Sequence, residues 1–236
     1  MEQLYNSTIA AISTAMSNSG IGIVRMSGPE AFQIADRVYK GKKEKKLCDQ
    51  KSHTIHYGYI VDGEQVIDEV LVMLMRGPHS YTGEDTVEIN CHGGVYVVKR
   101  ILELLIKNGA RPAEPGEYTK RAFLNGRLDL SQAEAVGDLI ASQNEYALQS
   151  SVSQLKGNIK DKISEMREKI LYHTAFIETA LDDPEHISVD GYGETLKKVV
   201  DEIMEAMKRL LDSCDDGRII KEGCLLYTSP SPRDCA

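Results

Sequence analysis

The sequence PGEYTKRAFLNGRLDLSQAEA, residues Pro115 to Ala135, joins two kinds of structure and decides how the chain is organised. Pro115-Gly116 breaks the chain before a short helix, and Asn125-Gly126 ends that helix. Ser131 is then the predicted N-cap of a much longer helix, and Glu134 three residues later completes a capping box. The pattern predicts a boundary between a mixed region and a helical one.

The charge of the chain argues against one class of function. The 236 residues carry a formal net charge of −8, which disfavours a broad, sequence-independent grip on nucleic acid. Lys42, Lys43, Lys45 and Lys46 form one local basic patch, which is more simply interpreted as a solvated loop.

The same composition indicates a soluble protein of a reducing compartment. No apolar run approaches the roughly 18 residues of a membrane-spanning helix, and no N-terminal secretory signal is evident. The five cysteines are scattered, with neither CxxC spacing nor a disulfide framework. A reducing cytoplasm suits such a set.

Up to about Asn125 the pattern alternates between strands and helices and predicts an α+β fold. Helices are predicted after Ser27-Gly28-Pro29, with Pro29 in the first turn, and after Gly93-Gly94. The predicted strands, with a hairpin turn at Asp62-Gly63, are Thr8–Ser13, Ile21–Met26, His53–Val61, Val66–Met75 and Thr86–Cys91.

From Ser131 onward, apolar residues recur at three- and four-residue steps, which predicts an all-α region. One long helix, or two helices with a kink near Gly157, extends to Asp182-Asp183-Pro184. A second helix is predicted from about Gly193 to Ser213.

The glycine-led segment Gly20–Gly28, GIGIVRMSG, is the first candidate for a binding motif. It differs from a dinucleotide-binding GxGxxG because Arg25 replaces the third glycine and the glycines open a strand, not a helix. The guanidinium of Arg25 suits bidentate binding of a carboxylate or a planar polar ligand. A surface or intramolecular ion-pair arginine is the alternative, and the residues alone favour it.

The second candidate is Gly77–Gly94, GPHSYTGEDTVEINCHGG. Glu88 and Asn90 lie on the same face of the predicted strand, where a carboxylate would accept paired hydrogen bonds from a pterin-like ring edge. His92 is either catalytic or part of a tight turn, and Cys91 is better explained as a small buried residue.

Other signals of chemistry are missing from the sequence. No spacing of histidine, cysteine or carboxylate residues indicates a metal site. The chain contains no GxxxxGKS/T P-loop, no nucleophile elbow and no RNA-recognition signature. The residues alone therefore predict no catalytic activity.

Four segments resemble the tRNA-modifying GTPase family known as MnmE or TrmE, in order and approximate spacing. They are Gly20–Gly28, Gly77–Gly94, Pro115–Ala135 and roughly Asp182–His186. The resemblance implies an N-terminal tetrahydrofolate-binding domain, similar to aminomethyltransferase modules, followed by a helical domain that a Ras-like GTPase domain interrupts. It extends to Gly223, where the GTPase insert would begin, so we expect a chain truncated before that domain.

The same resemblance implies cytoplasmic homodimers that act on tRNA with the flavoprotein MnmG. Together they add an aminomethyl or carboxymethylaminomethyl group to C5 of the wobble uridine, from a tetrahydrofolate one-carbon donor. That cofactor is expected as a 5-formyl- or 5,10-methylene-tetrahydrofolate, whereas GTP, potassium and magnesium belong to the full-length parent. The family's folate-contacting residues correspond to Arg25, Glu88 and Arg127, the last often a lysine in relatives.

We therefore expect a folate-binding, dimerising α+β domain at residues 1–120, the first part of a helical domain at 121–223, and a non-native tail at 224–236. A disordered native end is the alternative for that tail, which has no periodicity and two Ser-Pro pairs. The chain is expected to bind folate and to dimerise, but not to bind GTP. The alternative hypotheses are a stand-alone folate-dependent aminomethyl-transfer subunit and an interaction scaffold.

Overall fold

The computed structural model describes residues 7–41, 45–184, 186–187 and 189–222, with side chains as far as residue 213. The chain divides into two compact units, Met1–Asp129 and Leu130–Ala236. The tail predicted at 224–236 lies outside the described residues, as do Lys42 and Lys43 of the basic patch.

A mixed β-sheet forms the centre of the first unit. Its strands are β1 (Ile9–Ile12), β2 (Ser19–Ser27), β3 (Tyr39–Gly41), β4 (Thr54–Asp62), β5 (Gln65–Met75), β6 (Thr86–Gly93) and β7 (Arg111–Pro112). Their order is β3-β4-β5-β6-β2-β1-β7. Neighbours are antiparallel except β1 and β7, which are parallel. The predicted hairpin is confirmed, since β4 and β5 pair with each other, but its turn is Gly63-Glu64, one residue later than predicted.

The helices of this unit are α1 (Ala31–Val38), α2 (Val95–Lys107) and α3 (Glu117–Leu124). Helices α1 and α2 pack their apolar side chains against one face of the sheet and form the core with it. The prediction that Pro29 lies in the first turn is wrong. Helix α1 begins at Ala31, and the amide of the preceding Glu30 donates to Thr8 Oγ1 at 2.9 Å. Its apolar residues Phe32, Ile34, Ala35 and Val38 are buried.

The second unit consists of the helices α4 (Leu130–Ala141), α5 (Glu145–Leu155), α6 (Asn158–Asp182) and α7 (Tyr192–Glu222). Helix α6 ends at Asp182, as the Asp-Asp-Pro sequence predicts. In the described ranges, no helix combines the length and the hydropathy that crossing a membrane requires.

Two details of the predicted long helix are wrong. Helix α4 begins at Leu130, so Ser131 lies in its first turn and is not the N-cap. The chain also breaks between α4 and α5, where the Asn144 side chain accepts a hydrogen bond from the backbone amide three residues later, at 2.8 Å. Of the two alternatives, the one with an interruption near Gly157 is confirmed, since this residue has a φ of +88° and precedes α6.

Gly22 shows why the glycine-led segment suits a strand. A Cβ atom at this position would lie 2.3 Å from Val98 Cγ1 on α2 and 3.3 Å from the Gly93 Cα. These distances are shorter than van der Waals contact, so a glycine lets α2 approach β2 this closely. Gly20, on the same strand, has no atom within 4 Å of such a Cβ.

Gly22→Ala is expected to lower the free energy of unfolding by about 1–3 kcal/mol, because the added methyl group overpacks the contact with Val98. Gly20→Ala is the matched control, with an expected change of less than about 0.5 kcal/mol. Urea unfolding followed by circular dichroism measures both variants. Equal unfolding midpoints for the two would contradict this explanation of Gly22.

Candidate ligand-binding site

Two of the predicted site residues, Arg25 and Glu88, face each other on neighbouring strands. They are directly opposite in the register of β2 and β6, so both side chains project from the same face of the sheet. Arg25 Nε donates a hydrogen bond to Glu88 Oε1 at 2.7 Å, and Arg25 Nη2 lies 2.6 Å from the same oxygen. The ion pair that was the alternative for Arg25 is therefore present, and its partner is the other predicted residue.

This ion pair leaves polar groups available to a ligand. Both Arg25 contacts use Glu88 Oε1, and no hydrogen bond to Oε2 is found among the described residues. The Arg25 and Glu88 side chains are 26% and 12% exposed, so both can be reached from solvent. A partly buried carboxylate oxygen beside a guanidinium group suits the ring edge of a planar heterocycle.

Tyr81 connects Arg127, the third predicted residue, to this pair. The guanidinium carbon of Arg127 lies 5.1 Å from the centroid of the Tyr81 ring, and that of Arg25 lies 5.5 Å from it. Both distances are in the range of cation–π attraction. The Tyr81 hydroxyl shares a 2.9 Å hydrogen bond with Thr119 Oγ1 on α3. The structure thus brings all three predicted residues together, two directly and the third through an aromatic ring.

Helix α3 places a second tyrosine against Arg25. The Tyr118 ring centroid is 5.7 Å from the Arg25 guanidinium carbon, and the Tyr118 hydroxyl donates to the Arg25 backbone carbonyl at 2.6 Å. Burial raises the pKa of Tyr118, so the hydroxyl remains a neutral donor at physiological pH. Tyr118 therefore connects α3 to β2, the strand on which Arg25 lies.

A buried ion cluster joins α3 to residues 76–85, the loop between β5 and β6. Arg121 is 2% exposed, and its Nη1 lies 3.1 and 3.3 Å from the two carboxylate oxygens of Glu84. Arg121 Nη2 donates to Glu117 Oε1 at 3.1 Å, and Arg111 also donates to that oxygen. Each buried charge therefore has an opposite partner, as a low-dielectric environment requires.

The exposed part of the site carries a net positive charge. Glu88 neutralises Arg25, whereas Arg127 is exposed and has no carboxylate partner within the described part of the chain. The cluster around Arg121 balances its own charges. The unbalanced guanidinium lies beside an aromatic ring, which favours a planar ligand that carries an anionic group.

The structure gives His92 and Cys91 roles that require no ligand. His92 Nδ1 lies 2.7 Å from Asp68 Oδ1, and the His92 amide donates to Asp68 Oδ2 at 2.7 Å. The side-chain hydrogen bond with Asp68 raises the pKa of His92. Cys91 is buried, as predicted, and burial raises the pKa of its thiol to about 11. Over the ranges that the structure describes, no group of three His, Cys, Asp or Glu residues could hold a metal ion.

Sequence reasoning missed Tyr81, Tyr118 and Arg121 as parts of this site. Tyr118 and Arg121 are three residues apart on α3, and that spacing places them on one face of the helix. The spacing does not show that this face meets the strand carrying Arg25. Tyr81 lies in the quoted segment Gly77–Gly94, but turn residues surround it and give no periodic signal.

Because the ion cluster changes the pKa of Glu117, its contribution to the stability of the folded chain depends on pH in the acidic range. Burial opposes ionisation of this carboxyl, but hydrogen bonds from Arg111, from the Glu114 amide and from Arg121 outweigh burial and lower its pKa below the ordinary 4.5. Because the folded-state pKa is lowered, the contribution to stability is complete above pH 4.5. It is lost as the pH falls from there through the lower pKa of the folded chain.

Glu117→Gln is expected to lower the free energy of unfolding at pH 7 by about 1–3 kcal/mol, because it removes charge-assisted hydrogen bonds. The difference from the unaltered chain is expected to shrink as the pH falls below 4.5. Urea unfolding at a series of pH values measures it, with the exposed Glu103→Gln as control. A difference that stays constant across the series would contradict the role given to Glu117.

Two family models match consecutive parts of the chain. The model described as GTP-binding protein TrmE N-terminus matches residues 8–127, which include Arg25, Glu88 and Arg127. The model of the MnmE helical domain matches residues 130–225. The two matches meet where the two compact units meet.

Curated relatives named tRNA modification GTPase MnmE match the same region. The protein of Lachnoclostridium phytofermentans is 55% identical over 217 residues, which cover 92% of this chain and 47% of that relative. The Carboxydothermus hydrogenoformans protein is 49% identical over 231 residues, covering 97% and 50%, and the Bacillus subtilis protein is 47% identical over 222 residues, covering 92% and 48%. This chain therefore spans about half the length of the curated relatives it matches. It belongs to the MnmE (TrmE) family of tRNA modification GTPases.

Proposed function

We propose that this chain is the folate-binding part of a tRNA modification GTPase and that Arg25, Glu88 and Arg127 contact the folate. The ligand would be 5-formyl- or 5,10-methylene-tetrahydrofolate. The observation that carries the proposal is the array in which the Arg25–Glu88 pair and Arg127 meet at the ring of Tyr81. Membership of the family supports the reaction class.

The chemistry of a folate matches the groups at this site. A pterin ring edge carries adjacent N–H donors, and Glu88 Oε2 is an acceptor that no described residue uses. The glutamate tail of a folate is anionic, and Arg127 supplies the unbalanced positive charge. Tyr81 and Tyr118 hold the guanidinium group of Arg25 by cation–π contacts. The bound folate would supply a one-carbon unit, while the residues of this chain bind and orient it.

The family extends the proposal to the parent protein. In the cytoplasm and together with MnmG, the parent would add an aminomethyl or carboxymethylaminomethyl group to C5 of the wobble uridine of tRNA. Its GTP hydrolysis would use potassium and magnesium. This chain contains no GxxxxGKS/T P-loop, so we assign GTP binding to a part of the parent outside it.

Arg25→Ala is expected to weaken the binding of 5-formyltetrahydrofolate by about 1.5–3 kcal/mol, because charge-assisted hydrogen bonds of that size are lost. Isothermal titration calorimetry on the whole chain measures the affinity. Arg100→Ala is the matched control, since Arg100 lies on α2 and makes a comparable 2.9 Å ion pair with Asp62. An unchanged affinity for Arg25→Ala would remove Arg25 from the site. No binding by the unaltered chain would overturn the folate function.

The proposal includes a homodimer formed through the first unit. Ile55, Tyr57 and Leu71, on β4 and β5, are 60%, 40% and 46% exposed. The strand registers place Ile55 in one cross-strand row with Glu88 and Arg25. An exposed apolar patch that continues into the candidate site supports an interface on this face of the sheet.

The unaltered chain is expected to be a dimer at micromolar concentration in sedimentation velocity experiments. Leu71→Glu is expected to shift it toward the monomer, because an interface would bury the new charge without a partner. Tyr96→Glu, at a 79% exposed position on α2, is the control and is expected to leave the dimer unchanged. A monomeric unaltered chain would count against the homodimer.

A further inference from the structure

We propose that Tyr81 holds Arg127 in place to bind the ligand, and that the buried Arg121 positions Tyr81. This inference rests on the proposed folate function and deepens it by two residues. Tyr81 acts through Arg127, whereas Arg121 acts through residues 76–85, the loop that carries Tyr81.

Tyr81 is the contact that holds Arg127 at the site. Arg127 follows α3 and is exposed, and no ion pair to it is found among the described residues. Its guanidinium carbon and that of Arg25 lie 5.1 and 5.5 Å from the centroid of the same ring. The two guanidinium groups repel each other, while the electron-rich ring attracts both. Tyr81 therefore allows the site to present two positive groups to one anionic ligand.

The loop holds Tyr81 from both sides. Thr82, on one side, is completely buried and shares a 2.7 Å hydrogen bond with Ser27 Oγ. Its carbonyl accepts from Asn125 Nδ2 at 2.7 Å, which fastens the loop to the end of α3. Ser80, on the other side, is buried and donates to the Glu84 carbonyl at 2.5 Å. The backbone on both sides of Tyr81 is thus held in place by hydrogen bonds.

Arg121 fastens the same loop through Glu84. The carboxylate of Glu84 accepts from Arg121 Nη1 at 3.1 and 3.3 Å, and its Oε2 also accepts from Ser27 Oγ at 2.9 Å. Arg121 binds Glu117 on its own helix at the same time. Because Arg121 is 2% exposed, it cannot reach a ligand. Its effect on binding is therefore indirect, and its pairing with Glu84 carries that effect to the loop of Tyr81.

A double-mutant cycle between Tyr81 and Arg127 tests the role of Tyr81, with 5-formyltetrahydrofolate as the ligand in calorimetry on the whole chain. Tyr81→Leu and Arg127→Ala are each expected to weaken binding about 5- to 30-fold. The double variant is expected to bind within about twofold of the weaker single variant, because Tyr81 acts by holding Arg127. Tyr81→Phe keeps the ring and is expected to stay within about threefold. Tyr96→Leu, at a 79% exposed position, is the matched control.

The NMR resonance of the Arg127 Hε proton tests the role of Arg121 without any ligand. The nearby Tyr81 ring is expected to shift this resonance upfield in the unaltered chain. In Tyr81→Leu and in Arg121→Lys, the resonance is expected to move to the position of an exposed arginine. If Arg121→Lys fails to fold, Glu84→Gln is the second variant. It removes the charge of Glu84 but leaves Arg121 paired with Glu117.

Each result bears on a different part of the inference. Additive losses in the cycle, or normal binding by Tyr81→Leu, would overturn the role of Tyr81. An Arg127 resonance that does not move in Glu84→Gln or in a folded Arg121→Lys would overturn the role of Arg121. An unaltered chain that binds no folate would overturn the proposed function and, with it, the role of Tyr81 in ligand binding. The resonance would still decide whether Arg121 positions Tyr81.

Discussion

The guanidinium group of Arg121 is almost completely removed from water, so it has to be paired. Its partners come from two places in the chain, Glu84 in the loop before β6 and Glu117 on α3. Leaving a buried charge without its partner costs about 3–5 kcal/mol. An exposed cation–π contact contributes about 0.5–1 kcal/mol. The buried cluster therefore determines where the loop and α3 lie, and the contacts of Tyr81 with Arg25 and Arg127 follow from it.

The two faces of the sheet in the first unit have different roles: one packs in the core and the other carries the candidate site. Alternate residues of β5, such as Val70, Val72 and Leu74, are buried in the core that the sheet forms with α1 and α2. The other face carries the Arg25–Glu88 pair together with exposed apolar side chains. Because strand side chains alternate between faces, one set of strands can supply a dry core and a polar site at once. Gly22 contributes to this arrangement by allowing α2 to approach the core face of β2 closely.

Local charge matters more at this site than the charge of the whole chain. The formal net charge of −8 disfavours broad binding of polyanions. The exposed part of the candidate site nevertheless has two guanidinium groups and one carboxylate. Screening limits the reach of distant surface charges to about 8–10 Å, so a small anionic ligand responds mainly to the groups it touches. A protein with a negative net charge can therefore have a positively charged site for an anionic ligand.

The sequence by itself determined most of the secondary structure and the family of this protein. Alternation and helical spacing predicted β2, the β4–β5 hairpin and α2, because these patterns depend on residues close together in the chain. They also predicted that Arg25 and Glu88 lie on strands. The break at Asn144 was missed, since a single side-chain cap interrupts an otherwise continuous helical pattern.

Only the tertiary structure decided how the site is assembled. The register of β2 and β6 places Arg25 opposite Glu88, although 63 residues separate them along the chain. Tyr81 and Arg121 acquire their roles from a loop and a helix that meet through a buried ion pair. A sequence pattern shows which residues share a face of one element. Which faces meet depends on burial and charge pairing between distant segments, and those interactions exist only in the folded chain.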